Sequence, residues 1–331
     1  MGDTMKTSAP RVFSRRPPRW LFRALASLLA LLTLATGAHA ERFDYRLEPR
    51  QIADGAYVLV GLKEDFSFDN GGNIVNTGFI VGTEGVIVID TGSSRRYGEQ
   101  MLAAIRRITE LPVVLTLNTH HHPDHFLGNQ AFPSDTLAAL PETISAIRGE
   151  GEAFNANMYR LNGDWMRGTE VVVPTRTLTA GRQHIGGRDV ELLALGGHTA
   201  ADLVLVDHDS GTVFAADLIF NGRAPTTPHA DIPRWIAALD TLVRVPARHW
   251  VPGHGEVASD LTPLHETRAY LGWLADTIRR GAENGLDMTE VFATKIAPPF
   301  AGLALVEQEF RRSVAHLFPA AEQAALAAAP R

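Results

Sequence analysis

The run Thr119-His120-His121-His122-Pro123-Asp124-His125 sets four imidazoles and a carboxylate within seven residues. It would pack poorly in a core, because each buried ring nitrogen or carboxylate oxygen needs a partner. It suits a cation, because zinc takes imidazole nitrogens and carboxylate oxygens. His120 and His122 stand two apart, so an extended backbone puts both on one face. Asp124 and His125 follow where the chain turns and can face a second ion. His121 points the other way by the same alternation, which suits packing or support rather than ligation.

Three later segments each present one ligand-type residue at a strand end. Gly196-Gly197-His198-Thr199 follows the apolar run 190–195, and its glycines permit a tight turn. Asp217 closes the run 213–216, and Pro252-Gly253-His254-Gly255 follows Trp250-Val251. A lone histidine beside glycine is ordinarily structural. Three such strand ends together with the His-rich run point to one metal site. Asp90, in Ile89-Asp90-Thr91-Gly92, is placed to support that site from below, or simply to tie the turn after it. The chain has no cysteine, which removes thiol mechanisms and Cys-ligated metals.

The elements that must position these groups are short. Strand-like runs occur at 56–61, 77–81, 86–89, 113–118, 171–173, 190–195, 203–206, 212–216 and 250–251, bounded by Gly, Pro or Asn. Residues 77–90 and 201–217 repeat one design, a hairpin whose second strand runs into an aspartate. Helical spacing places Met101, Leu102, Ile105 and Ile108 on one face, and Trp235, Ile236, Leu239 and Leu242 on another. From about residue 260 onward the chain reads as mostly helical. This alternation is α/β, two sheets back to back with helices outside.

These residues resemble the metallo-β-lactamase superfamily. His120, His122, Asp124 and His125 fit its H-x-H-x-D-H motif, and the later segments fit its G-H-T, strand-end Asp and G-H-G blocks. The resemblance runs from about residue 57 to 255. It implies an αββα four-layer sandwich with two back-to-back mixed β-sheets. It also implies two zinc ions, with iron or manganese as alternatives. His120, His122 and His198 would hold one ion; Asp124, His125 and His254 would hold the other; Asp217 would bridge. The implied chemistry is hydrolysis of an ester, thioester or amide by a water deprotonated between the ions, with Asp124 orienting it. Asp217 stands where thiolate lactamases carry Cys, an arrangement similar to glyoxalase II. The stretches 69–74 and 215–223 look like exported quinoprotein relay system zinc metallohydrolases. A β-lactam is the alternative substrate, and a di-iron redox or sulfur-handling protein is the alternative from another class.

Substrate contacts are expected from loops. Phe66 and Phe68 suit an apolar flap, Asn221 closely follows the bridging Asp, and Arg223 and His229 are placed to meet an anionic group. Residues 154–165 can wall the cleft or belong to the core. The partner is a small molecule: a net charge of −6 and no long basic run past the N-terminus argue against nucleic acid. Residues 1–40 read as a cleaved export signal, with a basic start, a Leu-rich run and Ala38-His39-Ala40. The apolar run is short for a span. The mature chain is therefore expected to be periplasmic or secreted, with no stable membrane span. Whether export takes the general or the twin-arginine route is left open by Ser14-Arg15-Arg16.

Overall fold

The structure is a computed structural model that describes residues 43–328 and Gly2. The expected export signal, Gly2 apart, lies outside the described residues. The compact unit Tyr45–Arg331 carries the architecture.

Its elements run β1 (Arg50–Ala53), β2 (Ala56–Leu59), β3 (Thr77–Val81), β4 (Val86–Ile89), α1 (Arg95–Arg106), β5 (Val113–Leu117), α2 (Pro123–Phe126), β6 (Leu137–Ala139) and α3 (Pro141–Asn162). Then follow β7 (Arg176–Thr177), β8 (Gly181–Ile185), β9 (Arg188–Leu195), β10 (Asp202–Asp207), β11 (Thr212–Asn221), α4 (Ile232–Leu242), β12 (His249–Gly255), α5 (Thr262–Glu283), α6 (Met288–Phe292) and α7 (Val306–Ala328). One sheet has the order β1-β2-β3-β4-β5-β6-β7 and the other β12-β11-β10-β9-β8. Both are mixed. The first turns from antiparallel to parallel at β4, and the second is parallel only between β11 and β12.

The sheets face each other across an apolar core. Ile80, Ile87 and Leu115 of the first meet Leu192, Leu205 and Phe214 of the second. The other face of β10 and β11, with Val204, Val206 and Val213, packs on Trp235, Leu271 and Phe310 of α4, α5 and α7. β4 is covered on both faces, so Val86-Ile87-Val88-Ile89 is apolar without alternation. In α1, Ser94 caps the Tyr97 amide while Tyr97, Met101, Ala104 and Ile105 are buried at helical spacing. Helices outside two sheets make the α/β sandwich expected from the sequence.

Two details depart from that expectation. Residues 171–173 form no strand: Pro174 follows, and the Val172 carbonyl is taken by the Asn129 side chain at 2.9 Å. β11 runs through Asp217 to Asn221 rather than ending there, with its register on β12 shifting between Phe214 and Phe220. No helix among the described residues is long and apolar enough to cross a membrane.

Candidate metal centre

β5 carries the His-rich run to the sheet edge between β4 and β6. His122 is extended, and Pro123 begins the four-residue α2. This break sends His120 and His122 one way and sets Asp124 and His125 on the first helical turn. His198 reaches the same point from a turn after β9. Gly197 there has φ 129°, and an added Cβ would lie 2.2 Å from the Trp235 amide nitrogen. Asp202 holds this turn, accepting from the His198 amide at 3.1 Å and the Thr199 hydroxyl at 2.7 Å. Ala216 has φ 44° at the register shift, a conformation disfavoured for residues other than glycine. It precedes Asp217, as Asp90 with φ 57° closes β4. Strain of this kind gathers where a side chain must be aimed.

All seven expected ligand residues converge. One ligand-type atom each from His120, His122, His198 and Asp217 lies within 4.8 Å of the others, and Asp124, His125 and His254 form a second such group. Asp217 sits between them. One carboxylate oxygen is 3.1 Å from His125 Nε2, and the other is 3.3 Å from both His198 Nε2 and His254 Nε2. His122 Nδ1 faces His120 Nε2 at 3.0 Å and His198 Nε2 at 2.8 Å. A neutral imidazole has a single N–H, so ring nitrogens pointing at one another leave lone pairs for a cation. His125 Nε2 and Asp217 Oδ1 are buried with no hydrogen-bond partner, although they approach each other. The donor set fits one or two transition-metal ions.

The charge states of three rings agree with that fit, while those of His125 and Asp124 shift the other way. Burial first, then neighbouring rings, pushes His120 and His122 well below the usual histidine range. Burial takes His198 down to about 3 despite Asp217. These rings are neutral and able to ligate. Burial opposes charge on His125, but Asp217, Asp90 and Asp124 surround it and hold it well above the usual value. Burial likewise opposes the Asp217 carboxylate, which His254 and His125 nevertheless hold well below its usual range. Burial raises Asp124 against the pull of His125 and His254.

Outer contacts fix most of the rings. Asp90 accepts from His125 Nδ1, the Thr119 amide and the Thr119 hydroxyl, each at 2.8 Å. His254 Nδ1 donates to the Ile74 carbonyl at 2.7 Å, and the Thr119 hydroxyl lies 3.1 Å from His120 Nδ1. Asp90 thus supports the His125 ring and pins Thr119 at the head of the His-rich run, rather than the turn that follows it in the chain. Asp90→Asn keeps tolerance for positive φ while removing one acceptor oxygen. It is expected to weaken metal binding ~10–100-fold with little change in melting temperature, read by chelator competition. Unchanged affinity would leave Asp90 only the anchoring of Thr119.

A cavity of about 320 Å³ opens onto the centre and meets His122, Asp124, Asp217 and His254. Phe66, Arg223 and His229 line it, as expected of substrate contacts. Phe68 and Asn221 do not line it. The Phe68 ring stands 45 % exposed beside Gly163, and Asn221 donates to the Glu256 carbonyl at 2.7 Å. Segment 154–165 divides: Phe154, Asn157 and Leu161 face the cavity, whereas Met158 and Trp165 are buried and Tyr159 is exposed. Arg223 is buried on Glu309 at 3.4 Å, and Arg312 bonds Glu309 and Asp65, each at 2.8 Å. His121 turns away from the centre towards Glu150 at 3.9 Å; burial and then His229 take it down to about 4.

Residues not singled out from the sequence also shape the site. Asn76 clamps the His254 loop by donating to the Pro252 and Gly255 carbonyls at 2.9 and 2.7 Å. Asn118 bonds the His125 carbonyl at 3.1 Å and pairs with Asn129 beneath α2. An Asn between an apolar residue and a Thr was the available signal, and it says nothing of its partner.

Residues 70–254 match the family model described as the metallo-beta-lactamase superfamily. The chain belongs to the metallo-beta-lactamase superfamily. The match takes in all seven converging residues. A linear primary-alkylsulfatase of Pseudomonas sp. (strain ATCC 19151) is 26% identical, over 70% of this chain and 52% of its own length. The chain thus spans about half of that relative. The acyl-coenzyme A thioesterase MBLAC2 of Bos taurus is 25% identical over 56% of this chain and 75% of its own. Both names denote hydrolases. A solved metallo-beta-lactamase from Pontibacter korlensis shares the fold at TM-score 0.55 and 24% identity, covering 69% of this chain and 99% of its own.

Proposed function

We propose that the chain is an exported, metal-dependent hydrolase that holds two zinc ions and cleaves an ester or thioester of a small molecule with an apolar acyl or alkyl part. The observation that carries this reading is the convergence of seven ligand-type residues at the floor of one cavity, with Asp217 touching both groups. His120, His122 and His198 would hold one ion, Asp124, His125 and His254 the other, and Asp217 both. Bound ions of this kind supply a water-derived nucleophile at neutral pH and polarise the bond to be cleaved.

The protein's own groups do the rest. Asp124 faces the cavity and accepts a hydrogen bond from the attacking water, fixing its direction. Phe66, Ile74, Phe154 and Leu161 offer an apolar wall for the acyl or alkyl chain. Arg223 and Arg312 also line the cavity and lend it cationic character, tempered by Glu309 and Asp65. Hydrolysis places hydroxyl on the acyl carbon and a proton on the departing oxygen or sulfur. The alkylsulfatase and thioesterase relatives support an ester-type bond beside an apolar chain. Export rests on residues 1–40 alone.

On a series of acyl esters and thioesters, kcat/KM is expected to rise with chain length. Burial of each CH2 contributes about 0.8 kcal/mol, roughly fourfold per carbon while the wall is being filled. A chelator should abolish turnover. Nitrocefin in the same series tests the β-lactam alternative. Full turnover in chelated protein would sink the metal-dependent reading, and a flat chain-length profile would sink the apolar one.

A further inference from the structure

We propose that His229 is a positioning residue for His122, and that Glu150 keeps His229 in the tautomer this requires. The inference rests on reading His122 as a metal ligand. His122 is met on both ring nitrogens. Nδ1 faces His120 and His198, while Nε2 is 2.8 Å from His229 Nδ1. With Nδ1 committed to an ion, the single proton of a neutral imidazole sits on Nε2 and donates to His229 Nδ1. His229 must then carry its own proton on Nε2. That nitrogen lies 3.8 Å from the Glu150 carboxylate, which favours this tautomer.

The contact differs from those behind the other rings. Asp90 and Thr119 are buried, and the Ile74 carbonyl is supplied by a buried residue. His229 is 38 % exposed on its side chain and lines the cavity, and Glu150 is half exposed on α3. His122 is therefore held from the substrate side, by a chain His122–His229–Glu150 that joins the centre to the helix bearing Phe154 and Leu161. His121 Nε2 lies 3.9 Å from the same carboxylate and adds a second imidazole to its neighbourhood. A group placed on the His122 side acts through one ion only, the one shared with His120 and His198.

The test is zinc competition against a chromophoric chelator with the mature chain, its His229→Ala, His229→Asn and Glu150→Gln variants, and melting curves of each without metal. Wild type is expected to bind two zinc ions. His229→Ala should weaken one of them ~10–100-fold and spare the other, without lowering the metal-free melting temperature. His229→Asn, whose amide oxygen can stand where Nδ1 stands, should recover most of the loss. Glu150→Gln should fall between wild type and His229→Ala. Wild-type affinity at both ions in His229→Ala overturns the inference, as does an Asn variant no better than Ala. A third zinc equivalent lost with His229 also overturns it, since His229 would then be a ligand. A wild-type protein that binds no zinc overturns the metal-centre reading itself, a distinct result.

Discussion

Asp217→Ala is expected to keep the fold, fall towards one bound zinc and lose hydrolysis by ~10²-fold or more, the scale of losing a key electrostatic element. Asp217 is the only one of the seven whose carboxylate spans both groups, 3.1 Å from His125 Nε2 and 3.3 Å from His198 and His254 Nε2. Removing it leaves His120, His122 and His198 able to hold one ion on three imidazoles. A second ion would keep Asp124, His125 and His254 but lose the group proposed to tie it to the first. The fold should survive because the core between the sheets is set by Ile87, Leu115, Leu205 and Phe214 rather than by this carboxylate. Metal content and turnover on an ester, measured together, check it. Two retained zinc ions with full turnover would remove Asp217 from the bridge.

Gly253→Ala should produce nearly the same loss without touching a ligand. An added Cβ at residue 253 would lie 1.8 Å from Asp217 Oδ1 and 2.8 Å from the Asp217 amide nitrogen. The strand backbone has little room, because Asn76 holds the carbonyls of Pro252 and Gly255 on either side. The carboxylate must swing away from its position between the two groups. Overpacking of this kind costs roughly 1–3 kcal/mol of stability. The functional loss should match that of Asp217→Ala, about 10²-fold. Gly149→Ala is the control, since a Cβ there meets nothing within 4 Å inside α3. It should leave turnover alone and stabilise the protein by up to about 1 kcal/mol through helix propensity. A Gly253→Ala protein with normal metal content and turnover would show that the glycine is not needed to make room for Asp217.

The seven converging residues were legible in the sequence because a metal would impose residue type as well as position. Few other demands place His just after β9, Asp at the register shift inside β11 and His near the end of β12. Gly253, beside His254, carried no such signal. That it makes room for Asp217 needs β11 and β12 side by side, at the shift in their register. The cavity wall was half legible. Phe66 and Phe68 stand two apart in a loop where no regular period applies, and Asn70 fixes that loop through the Ser67 amide and the Asp65 carbonyl, with Phe66 facing the cavity. Asn221 was expected to reach substrate because it follows Asp217 closely. The continuation of β11 carries it to the Glu256 carbonyl instead. Arg312 and Glu150 come from helices distant in sequence, and only the assembled fold brings them to the site. Residues 171–173 show the limit of β-branched runs, since such a run becomes a strand only where a neighbouring strand accepts it.

Anomalous diffraction at the zinc edge from metal-loaded crystals tests the central claim most directly. Two peaks are expected at the cavity floor. One should be ligated by His120, His122 and His198 and the other by Asp124, His125 and His254, with Asp217 between them and ligand distances of ~2.0–2.2 Å. Fully loaded crystals with no peak among these seven residues, or with zinc held elsewhere, would contradict the account.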